Sequence, residues 1–246
     1  MLVVRVTRMI GYSALILVGL LALTAGLPAQ PSAADSNRVE SRHASRDASA
    51  DTDPNSGFWR GVPAVFLEND ARGNPVPEYK TEVRSRWTKA NLYFLFICPY
   101  DRLNLKPDTK TDTETNELWK WDVAEVFIGS DFQNIRRYKE FEISPRGEWV
   151  DLDINLDMPH HEDGWLWNSG FKVSARIEPA AKVWYGFMRI PYSSVDVRQA
   201  ATGNVLRINY FLSEGARPNH KSLAWQPTRQ PTFHVPEAFG SLKLAQ

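Results

Sequence analysis

Trp119 and Glu125 stand six residues apart in Trp119-Lys120-Trp121-Asp122-Val123-Ala124-Glu125, an aromatic ring close to a carboxylate on one stretch of chain. Exposed aromatic faces take up C–H surface, and ionised groups hold hydroxyls. The pair therefore suits a molecule such as a pyranose, which has one face of C–H groups and a rim of hydroxyls. Stacking one sugar face removes on the order of 50–100 Å² of apolar surface from water, worth roughly 1–3 kcal/mol. Two rings plus hydrogen bonds would give affinities of about μM to mM. The competing reading is structural, with Trp119 and Trp121 as packing residues, Glu125 as a paired or solvated acid, and Phe233 with His234 as a core edge.

Other side chains suggest different chemistry. Glu125 and Glu142 fall on neighbouring predicted strands, and glycoside hydrolysis would need two carboxyls about 5–5.5 or 6.5–9.5 Å apart on either side of a bond. Asp101, Asp108, Asp112 and Glu114 form an acidic stretch whose oxygens suit calcium, although no regular ligand spacing separates it from a solvated loop. His160-His161-Glu162-Asp163 lacks the further ligands that zinc takes, and reads as a solvated loop. Cys98, the one cysteine, lies in an apolar run with no polarising base nearby and reads as a packed thiol.

Strand alternation governs which of these residues can meet. A strand over 121–128 turns Trp121, Val123, Glu125 and Phe127 to one side, and Asp122, Ala124, Val126 and Ile128 to a core. Trp119 shares the parity of Glu125, but six extended residues span about 20 Å, so the chain must bend between them to reach one ligand. Further predicted strands are Thr81–Trp87, Asn91–Cys98, Tyr138–Ser144, Trp149–Asp153, Phe171–Glu178, Val183–Ile190, Val205–Phe211 and Ser241–Leu244. Short strands split by Pro, Gly, Asn and Asp, without helical periodicity or repeats, predict an all-β sandwich or barrel as a single domain over 57–246, not a parallel sheet with crossover helices.

The ends are different in kind. Arg5 and Arg8 precede an apolar run from Ile10 to Leu23 and the small residues of Thr24–Ala29, the layout of a secretory signal peptide over 1–29, with an uncleaved anchor as the alternative. That run is shorter than the roughly 20 residues of a membrane span. Residues 30–56 are rich in Ala, Ser, Asp and Arg, and Val39 is their one branched aliphatic, so they read as a flexible linker. The layout predicts a secreted or periplasmic protein. The 29 basic and 29 acidic residues cancel, which lacks the basic footprint of a nucleic-acid binder. After signal cleavage no membrane contact is expected.

Several phrases in order resemble the family 9 carbohydrate-binding modules. They are Asn91-Leu92-Tyr93-Phe94 with Pro99-Tyr100-Asp101, Trp119–Phe127, Tyr138–Pro145, Arg189-Ile190-Pro191-Tyr192, and Trp225-Gln226-Pro227 with Phe233–Leu242. The resemblance spans essentially all of Gly57–Leu244. It implies a jelly-roll-like antiparallel β-sandwich of two sheets, often with structural calcium, and a sugar clamped between aromatic rings. It places Trp119 as one ring, Glu125 as a hydroxyl acceptor and Phe233 as the opposing ring where the family has Trp, with His234 as a further polar contact. Glu142 stands where the family carries a hydroxyl-binding Arg. The implied function is non-catalytic saccharide binding. Such modules accompany glycoside hydrolases, though no catalytic domain is expected within these residues, and the partner enzyme is unspecified. Three alternatives stay open: a scaffold that has lost its sugar, a glycoside-acting relative, and a haem-binding relative using Met188 and His234.

Overall fold

A computed structural model describes residues 37–246; the predicted signal peptide and residues 30–36 lie outside the described residues. The chain is all-β, with thirteen strands in one mixed sheet. They are β1 (Arg38–His43), β2 (Ala64–Leu67), β3 (Asn69–Asp70), β4 (Thr81–Trp87), β5 (Asn91–Pro99), β6 (Val123–Gly129) and β7 (Arg137–Ile143). Then follow β8 (Trp149–Asn155), β9 (Lys172–Glu178), β10 (Val183–Pro191), β11 (Val205–Glu214), β12 (Lys221–Ala224) and β13 (Gly240–Ala245). Each of the nine predicted strands has its counterpart, and β1, β2, β3 and β12 are additional.

The order β8-β7-β6-β11-β13-β1-β4-β5-β10-β9 is hydrogen-bonded throughout. The all-β expectation holds, whereas the strands do not divide into two separate antiparallel sheets: they form one nearly barrel-like mixed sheet, joined where β1 pairs in parallel with both β13 and β4. This sheet curls on itself. Four steps separate β11 from β5, about 19 Å in a flat sheet, yet Tyr210 of β11 meets Phe94 of β5 with ring centroids 5.7 Å apart. The main core fills the inside of the curl, with Phe94, Phe96, Val126, Ile128, Phe141, Met188 and Tyr210 among its buried residues.

The described part of the expected linker is not a tether. β1 lies within the sheet, with Val39 buried and Ser41 bonded to Ser85 (2.8 Å). Beyond it, the Asp47 carboxylate accepts hydrogen bonds from Thr88 (2.5 Å), Asn91 (2.9 Å) and the Tyr93 hydroxyl (2.7 Å). Trp59, fully buried, donates its indole N–H to the Asp51 carbonyl (2.9 Å). A second core of Trp59, Val62, Tyr93, Leu95 and Phe187 thus covers the outer face of β5. Covering both faces explains the near-continuous apolar run of this strand. Composition misled because polar residues here are held by specific hydrogen bonds instead of burial alone.

Cys98 is fully buried in the main core, and burial raises its thiol pKa well above the ordinary value, in keeping with a packed thiol. Among the described residues no helix is long and apolar enough to cross a membrane.

Candidate functional site

The face of β8-β7-β6-β11 directed away from the main core carries its own cluster. Alternation sends Ala124, Val126 and Ile128 of β6 inward, and Val123 and Phe127 outward with Glu125 between them. From β7 come Tyr138, Glu140 and Glu142; from β8, Val150, Leu152 and Ile154; from β11, Phe211 and Ser213. Trp119 reaches this face because the chain bends. Glu117 adopts a left-handed backbone conformation (φ 60°), and Leu118–Lys120 form a 3-10 turn ahead of the extended Trp121. Fully buried Leu118 anchors that turn and leaves Trp119 partly exposed.

The C-terminal loop closes the other side. Phe233 stacks on Phe211 at 4.2 Å with an interplanar angle of 12°, which leaves one of its faces for other contacts. The next residue, His234, bonds through Nδ1 to the Tyr138 hydroxyl (2.7 Å) and lies beside the Phe127 ring (5.2 Å between centroids). A 3-10 turn over His161–Leu166 brings His161 edge-on to His234 at 4.4 Å. That turn lies directly on β8, where a Cβ at Gly164 would come 2.3 Å from the Asp153 carbonyl oxygen. Gly164→Ala is therefore expected to lift the turn. The His161 ring-current shift on His234 should disappear from the proton NMR spectrum, and the melting temperature should fall by several degrees.

These elements enclose a cavity of about 490 Å³, bordered by Trp119, Glu125, Glu140, Phe233, His234 and His161 among others. The size lies within the range of about 300–1,000 Å³ of small-molecule clefts. Trp119, Glu125, Phe233 and His234, proposed from the sequence, thus border one space. Glu142 does not border it: it is fully buried, directly across β6–β7 from Glu125. Glu140 was missed, although it shares the strand parity of Glu142. His161 lay in a segment that reads as a solvated loop, and no spacing signal marks it.

The floor is electrostatically unusual. Burial, followed by the neighbouring Glu140, raises the Glu125 pKa well above the ordinary carboxylate value; burial and the charges of Glu125 and Glu140 do the same to Glu142. Burial lifts Glu140 to about 7. Burial, with adjacent His161, lowers His234 to about 4, so the imidazole is neutral at pH 7.

Other expectations fall apart spatially. Met188 is buried in the main core, whereas His234 belongs to the opposite face of the sheet, so they do not form a haem site. The acidic stretch does not gather into a calcium cage among the described residues. Asp101 pairs with Lys182 (2.9 Å), and Glu114 is pushed up to about 8 by burial and a hydrogen bond with Asp151. Glu125 and Glu142 stand side by side with oxygens within 4.8 Å, not on opposite sides of a space for a scissile bond.

No family model matches the sequence, and no curated protein matches it. Solved structures do. A family 9 carbohydrate-binding module from Caldicellulosiruptor kristjanssonii, in complex with cellotriose, superposes with a TM-score of 0.61 at 12% identity, covering 85% of this chain and 93% of that one. The fold is that of the family 9 carbohydrate-binding modules. The same organism's module with glucose aligns at 0.61 and 12% identity, over 85% of this chain and 96% of that one. A Bacteroides uniformis protein with a proposed carbohydrate-binding role aligns at 0.66 and 14% identity, over 85% and 99%. The family 9 likeness expected from the quoted phrases is thus present in the backbone, at sequence identities too low to transfer any residue's role.

Proposed function

We propose that this chain is a non-catalytic saccharide-binding protein, exported by its 1–29 signal segment, that holds a sugar in the cavity between Trp119 and Phe233. Glu125 and His234 take the hydroxyl rim. The observation that carries the reading is the meeting of Trp119 and Glu125 with Phe233-His234, more than a hundred residues further along the sequence, around one cavity of about 490 Å³. An aromatic wall gives the C–H face of a pyranose its apolar partner, and the carboxylate and imidazole give its hydroxyls theirs. The solved neighbours bound to cellotriose and glucose support a saccharide as the ligand class.

The test is a glycan-array screen of residues 30–246, repeated with Trp119→Ala. Because Trp119 is only partly buried, the variant should keep its melting temperature within a few degrees while binding falls at least tenfold. If the variant unfolds, Trp119 is a packing residue. If well-folded wild-type protein binds nothing on the array, the scaffold reading replaces the saccharide one.

A further inference from the structure

The cavity floor holds three carboxylates with almost no compensation. Glu125, Glu140 and Glu142 are 2%, 3% and 0% exposed. Each offers an oxygen within 4.8 Å of the other two. Pairing explains the convergence: Glu142 faces Glu125 across β6–β7, and Glu140 follows on the same face of β7. Among the described residues no Lys or Arg pairs with any of them. The nearest basic group is His234, whose Nε2 stands 4.0 Å from Glu140. One hydrogen bond reaches the cluster from outside it, a long one from Ser213 to Glu125 (3.4 Å).

Three oxygens here are also unpartnered although buried: Oε2 of Glu140 and both carboxylate oxygens of Glu142. A buried carboxylate without a partner costs several kcal/mol, so carboxyls so placed either keep their protons or give them up to a paired charge or a bound metal. Glu142, fully buried and with no partner outside the acidic cluster, is the side chain that asks for a cation. Hard oxygen donors without thiolates fit calcium or magnesium. Calcium takes six to eight oxygens at about 2.3–2.6 Å, so its ligands lie within about 5 Å of one another, and it tolerates irregular geometry. Magnesium usually keeps its waters and takes one or two carboxylates. A saccharide ammonium fits less well, because Glu125 and Glu140 border the cavity while Glu142, fully buried, does not, and is within reach of a small ion only.

We infer that Glu125, Glu140 and Glu142 form a calcium site in the cavity floor, whose open coordination positions face the cavity. The site itself does not depend on the saccharide reading. Its consequence, that sugar hydroxyls complete the coordination shell, rests on that reading.

The decisive experiment titrates the cation alone into chelator-treated residues 30–246. Calorimetry should show one strong equivalent of calcium with Kd below 1 mM, weaker magnesium binding, and a calcium affinity at least tenfold lower in Glu142→Gln. Asp112→Asn, in the separate acidic loop, should leave the titration unchanged. Terbium(III) occupies calcium sites and is excited through nearby indoles, so its luminescence on the wild type should drop in Trp119→Phe; this readout also serves if Glu142→Gln fails to fold. No calcium uptake, or uptake that survives in folded Glu142→Gln with indifferent terbium emission, would overturn the site and leave the cluster holding shared protons. Sugar binding that persists undiminished in chelator would retain the saccharide reading and overturn the coordination of its hydroxyls.

Discussion

A chain shortened to residues 57–246 is expected to lose its cooperative fold, although composition marks the removed segment as dispensable. Removing residues 37–56 deletes β1, which supplies the parallel ladders to β13 and β4. The sheet would open at its centre and expose two bare strand edges in place of one continuous path. Val39 would leave a void in the main core, since its side chain is 5% exposed, and Ser85 would lose its buried partner. On the outer face, Tyr93 would lose Asp47 and Trp59 would lose the Asp51 carbonyl. A buried Val contributes roughly 1.5–3 kcal/mol and each hydrogen bond about 1. The sum rivals the 5–15 kcal/mol of a typical domain. Thermal unfolding followed by circular dichroism should show no cooperative transition, or a midpoint at least 15 °C lower. A control lacking only residues 1–36 should keep all of these contacts. An unchanged midpoint for the shorter chain would restore the tether reading.

The second large effect is pH-dependent. Glu214 ends β11 on the core-facing side, nearly fully buried and with an unpartnered Oε2. Burial, then repulsion from Asp122, raises it from 4.5 to about 8. Asp122, itself raised by burial to about 6, accepts the backbone N–H groups of Asn104 (2.7 Å) and Gly215 (2.6 Å). A raised carboxyl favours its protonated form in the fold. Below pH 4.5 both folded and unfolded chains hold that proton, and stability is complete. Between pH 4.5 and 8 the unfolded chain releases it first, so stability declines, and above 8 the loss levels off. At about 1.4 kcal/mol per tenfold in proton affinity, the upper bound is about 5 kcal/mol, reduced by relaxation. Glu214→Gln imitates the protonated form. Its melting temperature should exceed wild type by about 5 °C or more at pH 8 and match it at pH 4. Equal differences at both pH values would mean that the carboxyl is ordinary.

The parts legible in the sequence were those with strong periodicity. Val123–Gly129 alternates between two apolar environments, and its parity placed Glu125 on the cavity side and Val126 in the core. The bend between Trp119 and Glu125 followed from distance alone, and the 3-10 turn over Leu118–Lys120 supplies it. β1 escaped because Arg-Val-Glu-Ser-Arg-His has one apolar residue, and its burial comes from position between two strands, which no local pattern reveals. Whether strands form one sheet or two depends likewise on that single segment. At the site, Glu142 was placed on the correct strand, but its complete burial beside Glu125 and Glu140 is a tertiary fact. His161 depends on Gly164 letting one turn touch β8.

The parallel pairing of β1 with β13 also has a mechanical meaning. Arg38 lies beside Ser241 and Arg42 beside Ala245, so the chain enters the ladder at one rim and leaves it at the other. Tension between the two ends draws these strands past each other lengthwise. Such a pull loads the rungs of the ladder together, where peeling would break them one after another. A stretching force between the two ends would thus be borne by the seam that closes the sheet.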